Sequence, residues 1–516
     1  MHAHESLGAA RVTLAPPAPL TLEALREIAG GAPVALDAGA TVRMEASHRH
    51  LLALAASGRP VYGLTTGCGP LVDRAVTSET RIEFQRNLVR SHATGLGPAH
   101  PEPAVRATMA ARAFSLAHGR SGVRPAVVET LLAMLNAGIH PVVPEVGSVG
   151  ASGDLVELAH VAHALMGEGE VEFRGARQPS AAAMRAAGLT PLVLEGREGL
   201  ALMNGTSCET AQAALLVLGA EMLVAAAEAA AALVFDVLGG NPETLDPRLH
   251  AARPHPGQVA SAAHLAALVA GSGRVRDTRA RSGAGGEPPR PLQDAYTLRC
   301  IPQVLGAVRA TVAHVRSVVE IELNAVTDNP VLFGEDDVVL HGGNFHGQPV
   351  ALATDHLKVA LAEVALFSER RLARLLDPAL SGLPPFLIGD RAGVRSGLMG
   401  LQYCASSTIA DGSVLAHPAS LGSVPTNANN QDVVGMGGVA VRHARHLLDN
   451  ARRVVAIELI AAAEAADLVG TTALAAGTRG VYAAVRAVVP RLAEDRPLGR
   501  DVERVEGILA RVAAIE

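Results

Sequence analysis

Residues 210–238 read TAQAALLVLGAEMLVAAAEAAAALVFDVL, the longest apolar stretch of the chain, and its reading decides the fold. Its length suits a membrane span, but Glu221, Glu228 and Asp236 interrupt it, and a carboxylate inside a bilayer is costly. The stretch is therefore read as a helix buried within a bundle, where alanine permits close packing. Long helical patterns of the same kind recur at about 303–325, 348–376 and 436–469. Strand signals are few, and there is no internal repeat. The expected fold class is mainly α, with central helices longer than the ~11–12 residue mean.

Composition narrows the class. The chain has 516 residues, 49% hydrophobic and 18% charged, enough for a large core and too long for one simple domain. Forty-four Lys plus Arg against 50 Asp plus Glu give a net charge of −6 with no long run of one sign, so neither a nucleic-acid nor an anionic-membrane surface is indicated. Small, soluble partners are expected. Cys68, Cys208, Cys300 and Cys404 are widely spaced without a CxxC pair, which argues against a zinc knuckle or a disulfide framework and for a reduced, cytoplasmic chain. The opening MHAHESLGAARVTLAPPAP lacks the basic and apolar regions of a signal peptide and reads as a frayed tail. Glycine and proline punctuate shorter helices up to about residue 200, giving an N-terminal domain at 1–200 and a long-helix domain at 201–516. Residues 271–291, GSGRVRDTRARSGAGGEPPRP, form an aperiodic break expected to be a mobile lid or a disordered insertion.

Several short stretches carry chemistry. GSVGASGDL at 147–155 places Ala151, Ser152 and Gly153 before a helical pattern, and on local grounds it is a tight turn with a Ser or Asp cap. Four tyrosines occur, at 62, 296, 403 and 482. Tyr62 heads YGLTTGCGP, where exposed backbone N–H groups would lower the pKa of a phenol enough for it to act as a base. Tyr296 lies in QDAYTLRC with Gln293 and Arg299 three residues to either side, on one face if the segment is helical. The alternative for either tyrosine is a hydroxyl bonded at the edge of the core. Arg299 offers a fork for a carboxylate, or else a surface salt bridge. Asn204 in MNGTS matches a glycosylation pattern, but without a secretion signal it reads as a buried hydrogen-bonding residue. Phe345 in GGNFHGQP suits a pocket wall. His341 and His346 have poor spacing for zinc, and His160 and His163 on one helix face read as packed or hydrogen-bonded, so no metal is expected. No nucleotide-binding glycine loop is present.

Taken together, YGLTTGCGP, NLVRSHATGLG, GSVGASGDL, ALMNGTS, QDAYTLRC, NAVTDNP, GGNFHGQP and NNQDVVGMG closely resemble the aromatic amino-acid ammonia-lyase and aminomutase family, in order from about residue 60 to 470. The resemblance implies that Ala151, Ser152 and Gly153 cyclise to a 4-methylidene-imidazol-5-one (MIO). The Gly153 nitrogen attacks the Ala151 carbonyl, which a bulky side chain would obstruct, and Ser152 supplies a β-hydroxyl to lose as water. The resulting alkene is a strong electrophile, needed because an amine leaves poorly and a β-proton is weakly acidic. By the same resemblance Tyr62 is the base, Arg299 holds the substrate carboxylate, Asn204 and Tyr296 position the amine and cofactor, and Gln293 and Phe345 line the site. It further implies a long central bundle of the fumarase/aspartase type, an N-terminal domain carrying the MIO loop, and a homotetramer whose sites draw on more than one chain.

Two motifs bear on the substrate. Ser91-His92 matches a pair that histidine lyases and some tyrosine aminomutases place beside the side-chain pocket. Where histidine-type enzymes carry Gln-Glu-Asp, this chain has Asn430-Gln431-Asp432, the form of phenylalanine and tyrosine enzymes. A neutral Gln431 gives up a charged bond to an imidazole, while His92 suits a phenol, so tyrosine or a related hydroxylated phenylalanine is favoured over histidine. Cys68 stands where the family often has Phe. A 2,3-aminomutase outcome uses the same residues and differs in how long the acrylate is retained, a matter of lid dynamics. The fumarase and argininosuccinate-lyase class also eliminates from helical bundles, but its Ser-Ser-x-Met-Pro-x-Lys-x-Asn loop is absent. A helical scaffold would have no need of Tyr62, Arg299 and an intact Ala-Ser-Gly together.

Overall fold

The computed structural model describes residues 10–275 and 292–515. The four expected long helices are present as Ser207–Val237, Ile301–Leu323, Gln348–Leu376 and Gly437–Val469, each within about three residues of the range read from the apolar pattern. Strands are short, two to four residues each. They form two-stranded pairs and one three-stranded sheet of His140–Pro141, Glu170–Phe173 and Ala176–Pro179.

The helix Ser207–Val237 is apolar and long enough to cross a membrane, yet most of that apolar surface is buried inside the protein. Two of its buried carboxylates are tolerated because each has partners. Glu228 accepts from the Arg309 guanidinium and bonds the His264 ring, and Asp236 accepts from the Ala475 N–H and the Thr478 and Ser272 hydroxyls. Buried carboxylates without such donors would be strongly destabilising.

The described residues fall into two compact units. One runs up to Leu218 and includes Arg316–Asp355 and Pro418–Arg442; the other comprises Gly219–Val315, His356–His417 and the chain from His443. The expected break after residue 200 therefore falls inside the first unit. The reason is that each long helix carries residues of both units, so no linker separates them.

The N-terminal segment is not a frayed tail from residue 10 onward. Val12–Leu14 pairs in parallel with Val34–Leu36, and Leu14 is fully buried. Thr21 then caps the helix Leu22–Ala29, accepting the Ala24 N–H at 3.1 Å. The centre of this unit is the helix Glu102–Ala117, buried along its whole length from Ala104. From it Arg112 donates to the carbonyls of Ala201 and Thr327, at 2.9 and 3.1 Å, and so fixes two segments that wall the site. Of the expected mobile segment, residues 276–291 lie outside the described residues.

Candidate active site

The turn Gly147–Asp154 is shaped by glycine at two places. Gly150 and Gly153 have φ of +68° and +66°, and a Cβ on Gly153 would collide with the backbone of Gly205. Gly153 and Gly205 form a parallel bridge, with Gly205 N–H donating to the Ser152 carbonyl at 3.2 Å and Asp154 N–H to the Gly205 carbonyl at 2.8 Å. Inside the turn, the Ser148 hydroxyl accepts the Gly150 N–H. Asp154 does act as a cap, but not for its own helix. Its carboxylate accepts the N–H groups of Cys208 and Glu209 at 2.8 and 2.9 Å and so closes the first turn of Ser207–Val237. Ala151 is buried, while Ser152 is half-buried and faces a cavity.

That cavity has a volume of about 990 Å³ and lies within the first unit. Tyr62, His92, Asn204, Phe345 and Gln431 line it together with Ala151 and Ser152. Six separate segments thus place their expected residues on one space. Gln293, Tyr296 and Arg299 do not line it and belong to the second unit. Tyr296–Arg299 is a single helical turn in which the guanidinium stacks over the Tyr296 ring at 4.6 Å, and Tyr296 is 67% exposed. Gln293 sits in a bend before this turn, so the expectation that all three share one helix face holds only for the Tyr–Arg pair.

Tyr62 accepts the Gly69 N–H on its phenolic oxygen at 2.7 Å, and its own N–H donates to the His341 ring at 3.3 Å. The expected lowering of its pKa is not found. Burial, with the neighbouring Cys68 thiol, pushes the phenol up to about 12, and one backbone donor and the Arg197 charge do not offset this. Cys68 is itself pushed up to about 11 by burial.

Asn204, 3% exposed, donates through Nδ2 to Asp328 and to the Asn329 carbonyl, each at 3.2 Å, which leaves its amide oxygen to meet an amine. Asp328 is held in turn by a bidentate Arg197 at 2.7 and 3.0 Å, both side chains fully buried; although burial acts the other way, that guanidinium keeps the carboxyl below its usual range. The Arg197–Asp328 pair escaped the sequence reading. The motif NAVTDNP held the aspartate, but its partner lies 131 positions away.

His92 donates its Nδ1–H to the Leu88 carbonyl at 2.8 Å, so Nε2 is the acceptor of the neutral ring. Gln431 donates to the Ser152 hydroxyl at 3.1 Å and accepts from Thr426 at 2.6 Å. Of the two histidines on the helix after the turn, His160 accepts the Gly95 N–H at 3.0 Å, and His163 bonds Glu168 at 3.1 Å.

The chain is a carbon–nitrogen lyase. The family model for aromatic amino acid lyases matches residues 20–487, and the chain belongs to that family. The histidine ammonia-lyase of Symbiobacterium thermophilum is 46% identical over 490 residues, 94% of each chain. The tyrosine ammonia-lyase of Cupriavidus metallidurans is 47% identical over 476 residues, covering 90% of this chain and 89% of its own. Among solved structures, tyrosine aminomutase from Streptomyces globisporus superposes with a TM-score of 0.92 at 40% identity, covering 98% of this chain and 97% of its own.

Proposed function

We propose that the protein removes ammonia from L-tyrosine or a related hydroxylated phenylalanine by non-oxidative β-elimination, giving the trans-acrylate. The observation that carries this reading is the Ala151–Ser152–Gly153 turn on the wall of the cavity that Tyr62 and His92 also line. The turn fits an MIO precursor: only a residue without a side chain is accommodated at 153, and the hydroxyl to be lost faces the cavity. When formed, an MIO supplies an electrophilic alkene that makes the amine a better leaving group. Asn204 presents its amide oxygen to the substrate amine. His92 Nε2 accepts the substrate phenol O–H. Tyr62 takes the β-proton; its high pKa makes the phenolate scarce at neutral pH but strongly basic, so turnover by this group rises toward alkaline pH.

Tyr296, exposed on the surface, and Arg299, half-buried, both lie outside the cavity of their own chain and support a homotetramer in which another copy supplies the carboxylate clamp along with Gln293. The free cysteines support a cytoplasmic setting. A histidine substrate is the second reading, favoured by relatives named histidine ammonia-lyase.

The test is incubation with Tyr, 3,4-dihydroxyphenylalanine, Phe and His, following acrylate absorbance and β-amino acid. Hydroxycinnamate formed faster than urocanate supports the reading. Faster urocanate replaces it with the histidine reading, and accumulating β-tyrosine makes the enzyme an aminomutase.

A further inference from the structure

Glu209 is the third residue of the helix Ser207–Val237 and is fully buried. Its N–H is held by Asp154, directly after the Ala151–Ser152–Gly153 turn. Among the described residues neither of its carboxyl oxygens has a hydrogen-bond partner. What surrounds the carboxyl instead is backbone without side chains. A Cβ built on Gly347 would overlap Oε1, and one built on Gly437 would overlap Oε2. Neither glycine has a positive φ, so it is the space, not the backbone conformation, that excludes a side chain there.

These two glycines stand where two long helices begin, Gln348–Leu376 and Gly437–Val469. Just before them come Phe345 and Gln431, both walls of the cavity. The same segments touch the turn directly, with Gly347 N–H reaching the Gly150 carbonyl at 3.5 Å and Met436 N–H the Val149 carbonyl at 2.9 Å. Two segments of the site therefore meet at one carboxyl, and both also touch the turn. Burial, with Asp154, Glu322 and Glu157 nearby, pushes its pKa well up.

We propose that Glu209 is a positioning residue whose carboxyl fills the space of the missing side chains at 347 and 437, and so sets the distance between the Ala151–Ser152–Gly153 turn and the segments bearing Phe345 and Gln431. The inference rests on the ammonia-lyase reading of the cavity. A close-packed interior gives such a wedge its leverage, because neighbours relax only partly when it is removed.

The experiment is a double-mutant cycle on the full-length enzyme, read in kcat, KM, unfolding midpoint and intact mass. Glu209→Gln, neutral and of the same shape, is expected to keep kcat within about threefold. Glu209→Ala and Gly437→Ala are each expected to lower kcat by about tenfold or more with little change in KM, one by emptying the space and the other by overfilling it. Combined, they should recover most of the loss, since the new Cβ takes the place of the missing carboxyl. A double variant as poor as the product of the singles overturns the proposal, as does a Glu209→Ala enzyme with unchanged kcat. If the wild-type chain shows neither elimination nor the loss of two waters, the functional reading fails instead. The cycle in unfolding midpoint then still decides whether the three residues share one space.

Discussion

The side-chain amide of Gln431 donates to the hydroxyl of Ser152 across 3.1 Å, while Thr426 holds its oxygen at 2.6 Å. The residue that sequence offers as a partner for the substrate ring is thus first a neighbour of the serine whose hydroxyl would be lost. A carboxylate at 431 accepts from both hydroxyls and also gives an imidazole N–H a charged acceptor. Gln431→Glu is therefore expected to keep the mass loss of two waters and raise the histidine-to-tyrosine turnover ratio by about tenfold. An unchanged ratio would confine Gln431 to Ser152.

His92 presents Nε2 to the cavity because Nδ1 is engaged by Leu88. Replacing it by phenylalanine leaves a substrate phenol without its acceptor, at a cost of about 1–3 kcal/mol. His92→Phe should lower tyrosine turnover and raise that of phenylalanine, shifting the preference by about tenfold or more in kcat/KM.

Ser152→Ala removes the β-hydroxyl with almost no change in volume at a half-buried position. The variant should fold with an unfolding midpoint near that of the wild type, keep its full mass without losing two waters, and lose activity by about 10³-fold or more. Wild-type turnover in this variant would remove the MIO assignment.

If the base and the carboxylate clamp of one site come from different chains, two inactive variants complement each other. Tyr62→Phe and Arg299→Ala should each be nearly inactive alone and regain a substantial fraction of activity when co-expressed, since some sites then hold both intact residues. Mixed protein no more active than its parents would place both groups on one chain.

Glu157 is buried, accepts the Ser148 N–H at 3.1 Å, and is pushed up to about 8 by burial and by Asp154. A carboxyl whose folded pKa is raised binds its proton more tightly in the folded state. Its contribution is complete below the unfolded value near 4.5 and is lost as pH rises toward 8. Glu157→Gln should accordingly lose less stability than the wild type between pH 5 and pH 8, measured as the unfolding midpoint at each pH.

How much of this was legible in the sequence follows from the range of the forces involved. The four long helices are read within about three residues because an apolar pattern is local, and the Ala-Ser-Gly turn because small residues announce close backbone approach. The rise in the Tyr62 pKa is not legible in the sequence, because its burial depends on residues far along the chain. The Arg197–Asp328 pair and the Glu209 wedge were invisible for the same reason: each is defined by partners more than a hundred residues away. The compact units divide the chain elsewhere than at residue 200, because each long helix carries residues of both.

The bridge between Gly153 and Gly205 has a consequence for biosynthesis. The turn that would become the electrophile takes its shape from a residue translated about fifty positions later, and its outer face from segments near 347 and 437, later still. A nascent chain arrested before those segments emerge carries an ordinary, unreactive tripeptide. A reactive group formed on this turn would in this sense record that synthesis has passed these segments, and newly made enzyme would then pass through a dormant interval before its first turnover.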